Sequence, residues 1–415
     1  MTSPSSPPVL PPPVRRPANA PLALEGIRVL DFTRYLSGPV GTMFLADMGA
    51  DVIKVEHPDG GDEARKLPAF TAGGVGSVFL YGNRNKRSIT LDLNRPQAQQ
   101  VVLDLVAKVD VVVENFLPGV MDRVGLSYER LAQINPRLIY CSVSAFGREG
   151  KFARRPGYDQ IAQAESGFIS LSGEADGQPQ KSASPVMDIS TGMMTSSAIL
   201  GALMARERGR AAGQFVEVCL YDTAVFMTGQ YGMNYLVTGQ APQRHGNGSR
   251  TAEPTGLFEA SDGPLYLSCP TDRSFQSLAR RVLEMPELIE DERFATTTAR
   301  CQHRTALHAL LITAFARRGK EEWLDLALQA SVPLGVVRTV PETMSSDVMQ
   351  VRRLVSQIDA GERGMVPNIA APMRFGATPL RDPQAAPALG QDTHDVLREL
   401  LGWDDARIDQ LLAGG

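Results

Sequence analysis

A single carboxylate, Asp188, stands ahead of a stretch of small and apolar residues in the run S-P-V-M-D-I-S-T-G-M over residues 184–193. Two chemistries fit an aspartate at the start of such a helix. It can cap the helix by accepting backbone N–H bonds from the first turn. It can also act as a nucleophile, because a carboxyl with an ordinary pKa of about 3.9 is ionised at neutral pH and needs no partner base. No histidine or cysteine stands near it in the sequence. A helix start offers N–H groups to an oxyanion on an attacked carbonyl, although the same groups bonded to Asp188 would blunt it. Ser184, Ser190, Thr191 and Gly192 leave room for a substrate. A glycine early in a helix costs about 1 kcal/mol against alanine, so Gly192 points to close approach by backbone or ligand.

Other polar residues stand out as well. Tyr158, in R-P-G-Y-D, is either a packing residue or a wall of the site; with a pKa near 10 it is a poor base. Asn115 follows a buried strand at the carboxyl end, where ligands bind in parallel sheets. Lys86 and Arg123, taken singly, read as solvated charges. The loop Arg244–Arg250 is either a linker or a lid, with Gly246, Asn247 and Gly248 as its flexible part.

Composition removes several classes. The 415 residues are 43% hydrophobic and 21% charged, with a formal net charge of −4. Such a balance gives no electrostatic reason to bind nucleic acid. No apolar run is expected to cross a bilayer, which takes about 20 residues. The four cysteines lack C-x-x-C spacing and the five histidines lack H-x-x-x-H, so neither a metal site nor a disulfide framework is expected. Residues 1–21 hold eight prolines, two arginines and no acid. This reads as a disordered tail over residues 1–22, neither a secretory signal nor an amphipathic transit helix, and the expected location is cytoplasmic.

The elements that must position these residues follow from periodicity. Ile27–Phe32 and Asp51–Glu56 read as strands, with a helix between them that starts around Pro39. Arg87–Leu93, Asp110–Glu114, Leu138–Ser144 and Gln214–Leu220 are further strands, separated by helices at Pro96–Val109, after Ser127 and over about 189–207. Strands alternating with helices imply an α/β fold with a doubly wound, Rossmann-like parallel sheet. The first turn lacks G-x-G-x-x-G and G-x-x-x-x-G-K-[ST], which argues against a dinucleotide or a hydrolysed nucleotide triphosphate. Residues 221–238 read as one long helix, and Leu257–Ser268 as a hairpin around Ser261-Asp262-Gly263. The expected division is a large domain from residues 23–222 and 345–415, with linkers and a smaller α+β domain over 223–344.

Together with V-E-N-F-L-P-G (113–119), N-K-R-S-I-T-L-D-L (85–93) and the ending L-G-Q-D-T-H-D-V-L-R-E-L-L, the Asp188 segment resembles the class III coenzyme A transferases. That family also contains the α-methylacyl-CoA racemases. The resemblance implies that Asp188 is the nucleophile and that CoA moves between two carboxylic acids through an aspartyl anhydride and an aspartyl-CoA thioester. It implies CoA contacts at Arg34, Leu36 and Ser37 in D-F-T-R-Y-L-S-G-P, and at Lys86, Asn115, Phe116 and Arg123. His57 stands where some relatives have arginine. Racemases carry histidine where this chain has Tyr158, so the transferase branch is expected, with an acyl-CoA isomerase or racemase acting by α-proton transfer as the alternative. The resemblance implies no cofactor beyond the CoA thioester substrate, and an interlocked homodimer. Arg34 or Arg244 would pair with a second carboxylate, favouring a dicarboxylic acceptor with succinyl-CoA or another short acyl-CoA as donor.

Overall fold

The computed structural model describes residues 10–67 and 71–413. Two compact units form. The first comprises Met1–Phe168, Ser182–Gly232 and Asp347–Gly415; the second comprises Ile169–Lys181 and Met233–Ser346.

The first unit opens with β1 (Arg28–Asp31), α1 (Ser37–Asp47) and β2 (Asp51–Glu56), followed by a two-strand ribbon of β3 (Thr71–Ala72) and β4 (Val75–Gly76) and by α2 (Ser77–Gly82). Then come β5 (Lys86–Thr90), α3 (Pro96–Val106), β6 (Val111–Glu114), α4 (Val120–Arg123), α5 (Tyr128–Ile134), β7 (Ile139–Ser144), α6 (Asp159–Glu165), α7 (Val186–Glu207) and β8 (Gln214–Cys219). The six long strands form one parallel sheet in the order β5-β2-β1-β6-β7-β8. Both faces are covered, which explains the run of valines in β6. Val111 and Val113 pack with Val40 and Phe44 of α1 and with Ile199 of α7. Val112 faces the other way, with Val102 of α3 and Leu397 near the C-terminus. The chain winds outward from β1 on one side and from β6 on the other, so the two βα turns after β1 and β6 meet at the switch point.

Helices α8 (Leu220–Phe226) and α9 (Gly229–Thr238) replace the single helix expected over 221–238. Gly229, at φ +55°, breaks it. The second unit has a three-stranded antiparallel sheet, with β9 (Thr255–Ala260), β10 (Gly263–Ser268) and β11 (Leu334–Val336) in the order β11-β10-β9. Its helices are α10 (Asp272–Ser277), α11 (Glu287–Glu290), α12 (Thr297–Gln302), α13 (Arg304–Phe315), α14 (Lys320–Ala330) and α15 (Val340–Met344). They enclose a core centred on Phe275, Phe315 and Trp323, whose indole donates to the Phe315 carbonyl at 2.8 Å. The chain then returns to the first unit through α16 (Asp347–Arg352), the hairpin β12 (Val355–Asp359) and β13 (Met365–Ile369), α17 (Thr393–Leu401) and α18 (Asp405–Ala413). The Ser88 amide donates to the Asp392 carboxylate at 2.8 Å, fastening α17 to the sheet edge.

Three further expectations change. Of the tail, residues 1–9 lie outside the described part. Residues 10–22 are fastened rather than loose: Pro11 accepts the Gln357 amide at 2.8 Å, and the Arg16 amide donates to Asp382 at 2.8 Å. Residues 169–181 join the second unit, and the boundary after the sheet falls at Gly232 rather than residue 222. Helix α7 has the length and mean hydropathy of a membrane span, where none was expected. Its Met187, Ile199 and Leu203 are instead buried in the core of the first unit.

Candidate active site

Asp188 is the third residue of α7, not its N-cap, because the helix starts at Val186. A different carboxylate caps it. Asp159, buried at the first position of α6, accepts the amides of Met187 at 2.7 Å and Asp188 at 3.3 Å. Gln163, one turn along α6, donates to the other Asp159 oxygen at 2.5 Å, and its own carbonyl accepts the Ser182 amide at 2.9 Å. The Asp188 carboxyl is therefore not consumed by the helix start. Burial first, and then the Asp159 carboxylate, push it up to about 7; a hydrogen bond from the Ser37 side chain pulls the other way.

Ser37 reaches Asp188 because α1 and α7 cross at unusually short range. A Cβ on Gly192 would stand 2.8 Å from the Ser37 carbonyl and 2.9 Å from Val40 Cβ. One on Gly41 would stand 2.8 Å from Thr195 Cβ. Backbone approach is thus the role of Gly192. Helix α1 begins at Ser37 without a side-chain cap, and Leu36, its half-buried N-cap residue, packs on the core.

Under the β1–α1 turn lies a buried charge network. Asp31 accepts from the Thr33 hydroxyl at 2.6 Å, from Thr42 at 2.7 Å and from Lys86 at 3.0 Å. Lys86 also donates to the Pro39 carbonyl at 3.0 Å and to Asn83 at 2.9 Å. Its side chain is fully buried, and burial pushes its pKa down to about 8. Lys86 is therefore a structural cation that braces the turn, not an open contact for phosphate. Lys54 pairs with Asp62 at 2.9 Å, and Asp62 in turn accepts the Tyr35 amide at 3.1 Å. Tyr35 is held at φ +63°, in the left-handed region. Its ring meets Tyr158 edge-on with centroids 6.0 Å apart. Tyr158 is 58% exposed and stands at the N-cap of α6, directly before Asp159.

Asn115 joins the two βα turns at the switch point. Its side chain accepts the Arg34 amide at 2.8 Å and donates to the Arg34 carbonyl at 2.9 Å. The Arg34 guanidinium lies over Phe116, 5.0 Å from the ring centroid, and pairs with Glu63 at 3.4 Å. Arg34, His57 and Phe116, with Phe32, Leu93 and Val120, line a cavity of about 120 Å³. His57 Nδ1 accepts the Asp59 amide at 3.0 Å, which places the ring proton on Nε2, 3.5 Å from Asp92. Arg123 is exposed at the end of α4, and its guanidinium has no ion pair among the described residues. Beside this cavity, Glu114 is buried against Arg148 at 3.1 Å, and burial raises its pKa.

The expected lid belongs to the second unit and is fastened there. The Gly246 amide donates to the Gly173 carbonyl at 3.1 Å, and Arg244 donates to the Gly177 carbonyl at 2.7 Å. The Tyr266 hydroxyl donates to the Asn247 carbonyl at 3.0 Å, and the Gly248 amide to the His245 carbonyl at 2.9 Å. Arg244 thus spends its donors on main-chain carbonyls. The structure brings Ser37 to Asp188 and Tyr158 to Tyr35, and gathers Arg34, His57, Asn115 and Phe116 at the switch point. Asp159, Tyr35 and Glu114 belong to the site without a motif that singles them out in the sequence. Asp159 lies inside the R-P-G-Y-D run, and the only local signal for it is an acidic residue opening a helix.

The chain matches CoA-transferase family III over residues 24–393. It is 38% identical to a succinate–glutarate CoA-transferase of Agrobacterium fabrum, covering 91% of this chain and 95% of that protein. It is 33% identical to the succinyl-CoA:glutarate CoA-transferase of Mus musculus, covering 94% and 89%. Among solved structures, a CAIB/BAIF family protein of Brucella suis superposes with a TM-score of 0.82 at 37% identity, covering 92% of this chain and all of that one. A carboxylate nucleophile candidate released from capping, at the start of a helix crossing the first βα turn, thus sits in a chain that belongs to CoA-transferase family III.

Proposed function

We propose that this protein moves CoA between two carboxylic acids through covalent intermediates on Asp188. The observation that carries the reading is the capping of α7 by Asp159, which leaves the Asp188 carboxyl free. A carboxylate oxygen of Asp188 attacks the carbonyl carbon of an acyl-CoA, and the C–S bond breaks to release CoA thiolate and form a mixed anhydride. The thiolate attacks the Asp188 carbonyl of that anhydride, giving an aspartyl-CoA thioester and the free donor acid. The acceptor carboxylate attacks this thioester and expels the thiolate again. The thiolate then takes the acceptor's acyl carbon and returns the Asp188 carboxylate. No net proton is consumed. Each of these attacks passes through a tetrahedral oxyanion, and the uncapped start of α1 beside Asp188 supports its stabilisation.

The donor is a short acyl-CoA such as succinyl-CoA, and the acceptor a dicarboxylic acid. The two transferases named above, both of which act on glutarate by name, support this. A panel of acids offered with succinyl-CoA tests it. C4–C5 dicarboxylates should form new thioesters; a panel in which only monocarboxylates react rejects the acceptor class. Proton transfer at the α-carbon is not favoured, since the position expected to hold its second base is Tyr158.

The working form is a homodimer, interlocked as in the family. Large side chains left open on α8 and α9 support it: Phe226 is 81% exposed, and Leu236 and Val237 are each 76% exposed. Light scattering tests this, and a monomer at working concentration rejects it.

A further inference from the structure

Helix α1 runs from Ser37, beside Asp188, to Asp47. Its 11 residues put its ends about 15 Å apart at about 1.5 Å per residue. Asp47 lines a second cavity, of about 580 Å³, whose lining holds none of the candidate active-site residues described above. Arg15 and Arg16 from the proline-rich segment, Arg84, Arg353, Arg374 and Arg381 all line it. The carboxylates nearby are already committed. Asp47 takes Arg84 at 2.5 Å and Asn85 at 2.7 Å. Asp382 takes Arg15 at 3.5 Å and the Arg16 amide at 2.8 Å.

Four guanidinium groups remain without a carboxylate partner among the described residues. Arg16 donates to the Ala20 carbonyl, Arg374 to the Arg352 carbonyl and Arg381 to the Gly49 carbonyl at 2.8 Å. Carbonyl oxygens satisfy their protons but not their charge. Arg381 is half-buried, and burial pushes its pKa down; Arg16 and Arg87 add to the push, while Asp51 and Asp47 oppose it. Arg353, at φ +49°, is held in the left-handed region that favours glycine, and its guanidinium is exposed. The rest of the lining includes Val351, Leu354, Met373, Phe375 and Leu380, so cations and an apolar floor share one cavity.

We propose that this cavity binds an organic polyphosphate of the nucleoside di- or triphosphate class. Planar guanidinium groups match phosphate oxygens two at a time. An excess of several positive charges calls for a multiply charged anion. The volume lies in the range of about 300–1,000 Å³ that small-molecule sites occupy. The apolar floor gives the organic part a surface that inorganic phosphate would not need. The site does not depend on the reaction proposed above.

Titration calorimetry of the full chain at low ionic strength tests it, with ATP and inorganic pyrophosphate as probes. The comparison protein is the double variant Arg353→Ala/Arg374→Ala, in which two exposed side chains without ion pairs are removed. ATP is expected to bind the natural protein, and more tightly than pyrophosphate. The double variant should bind ATP about tenfold or more weakly, with the KM for acyl-CoA unchanged. Absence of heat with either probe overturns the proposal and leaves the arginines to a protein partner. Equal ATP affinity in the double variant also overturns it, because the nucleotide then sits elsewhere. Pyrophosphate binding as tight as ATP overturns the organic class.

Discussion

Asp159 holds the amide of Asp188 at 3.3 Å while its charge stands beside the Asp188 carboxyl. One residue thus fixes the start of α7 and tunes the side chain presented there. The Asp188 carboxyl, pushed up to about 7, must lose its proton before it can attack. Turnover should therefore rise with pH through about 7. Asp159→Asn keeps an oxygen for the helix amides but removes the charge. Its acid limb should move to lower pH, with kcat at pH 8 reduced about tenfold or more by looser positioning. A pH–rate profile in which both proteins share one limb contradicts this.

The raised pKa also has a stability sign. An unfolded aspartate loses its proton near pH 4, whereas folded Asp188 keeps it until about 7. Between those values the native state binds more protons, so this group's contribution is full below pH 4 and is lost as pH rises to about 7. Asp188→Asn should abolish activity yet stabilise the protein at pH 8, on the order of 1–3 kcal/mol. The gain should vanish toward pH 4. Thermal melts of both proteins across that range check it.

Gly192 permits the crossing of α1 and α7. In Gly192→Ala the new methyl would meet the Ser37 carbonyl at 2.8 Å and the Val40 Cβ at 2.9 Å. The helix-propensity gain of about 1 kcal/mol is outweighed by overpacking of about 1–3 kcal/mol. The melting temperature should fall, and kcat should fall with it as Ser37 moves from Asp188. An unchanged kcat would mean that this contact does not matter.

Lys86 and Arg123 should separate cleanly. Lys86→Ala leaves Asp31 buried with one cation fewer, at a cost of about 3–5 kcal/mol in stability. Arg123→Ala should leave stability within about 0.5 kcal/mol and raise the KM for acyl-CoA. Denaturant unfolding and initial rates on both variants check the contrast.

Much of the sheet was legible because buried parallel strands carry a strong local signal. The three valines of β6, Asp51–Glu56 and Leu138–Ser144 each read as strands from apolar runs between turns. Asn115 was placed at the carboxyl end of β6 by the same logic. The start of α7 was not legible: its cap comes from Asp159, 29 residues away, and local capping rules favoured Asp188 itself. Lys86 misled for a related reason. A lone lysine reads as a surface charge, and its partner Asp31 lies 55 residues earlier, two strands across the sheet. The fastening of residues 10–22 escaped because proline density predicts the lack of helix and sheet, not the lack of contacts.

Intact-mass measurement of the quenched protein decides whether a covalent bond forms at Asp188. After brief incubation with succinyl-CoA, an added acyl or CoA mass should appear and map to the peptide containing Asp188, and Asp188→Ala should show neither adduct nor transfer. An unmodified protein, together with full transfer activity in Asp188→Ala, would rule out covalent catalysis at Asp188.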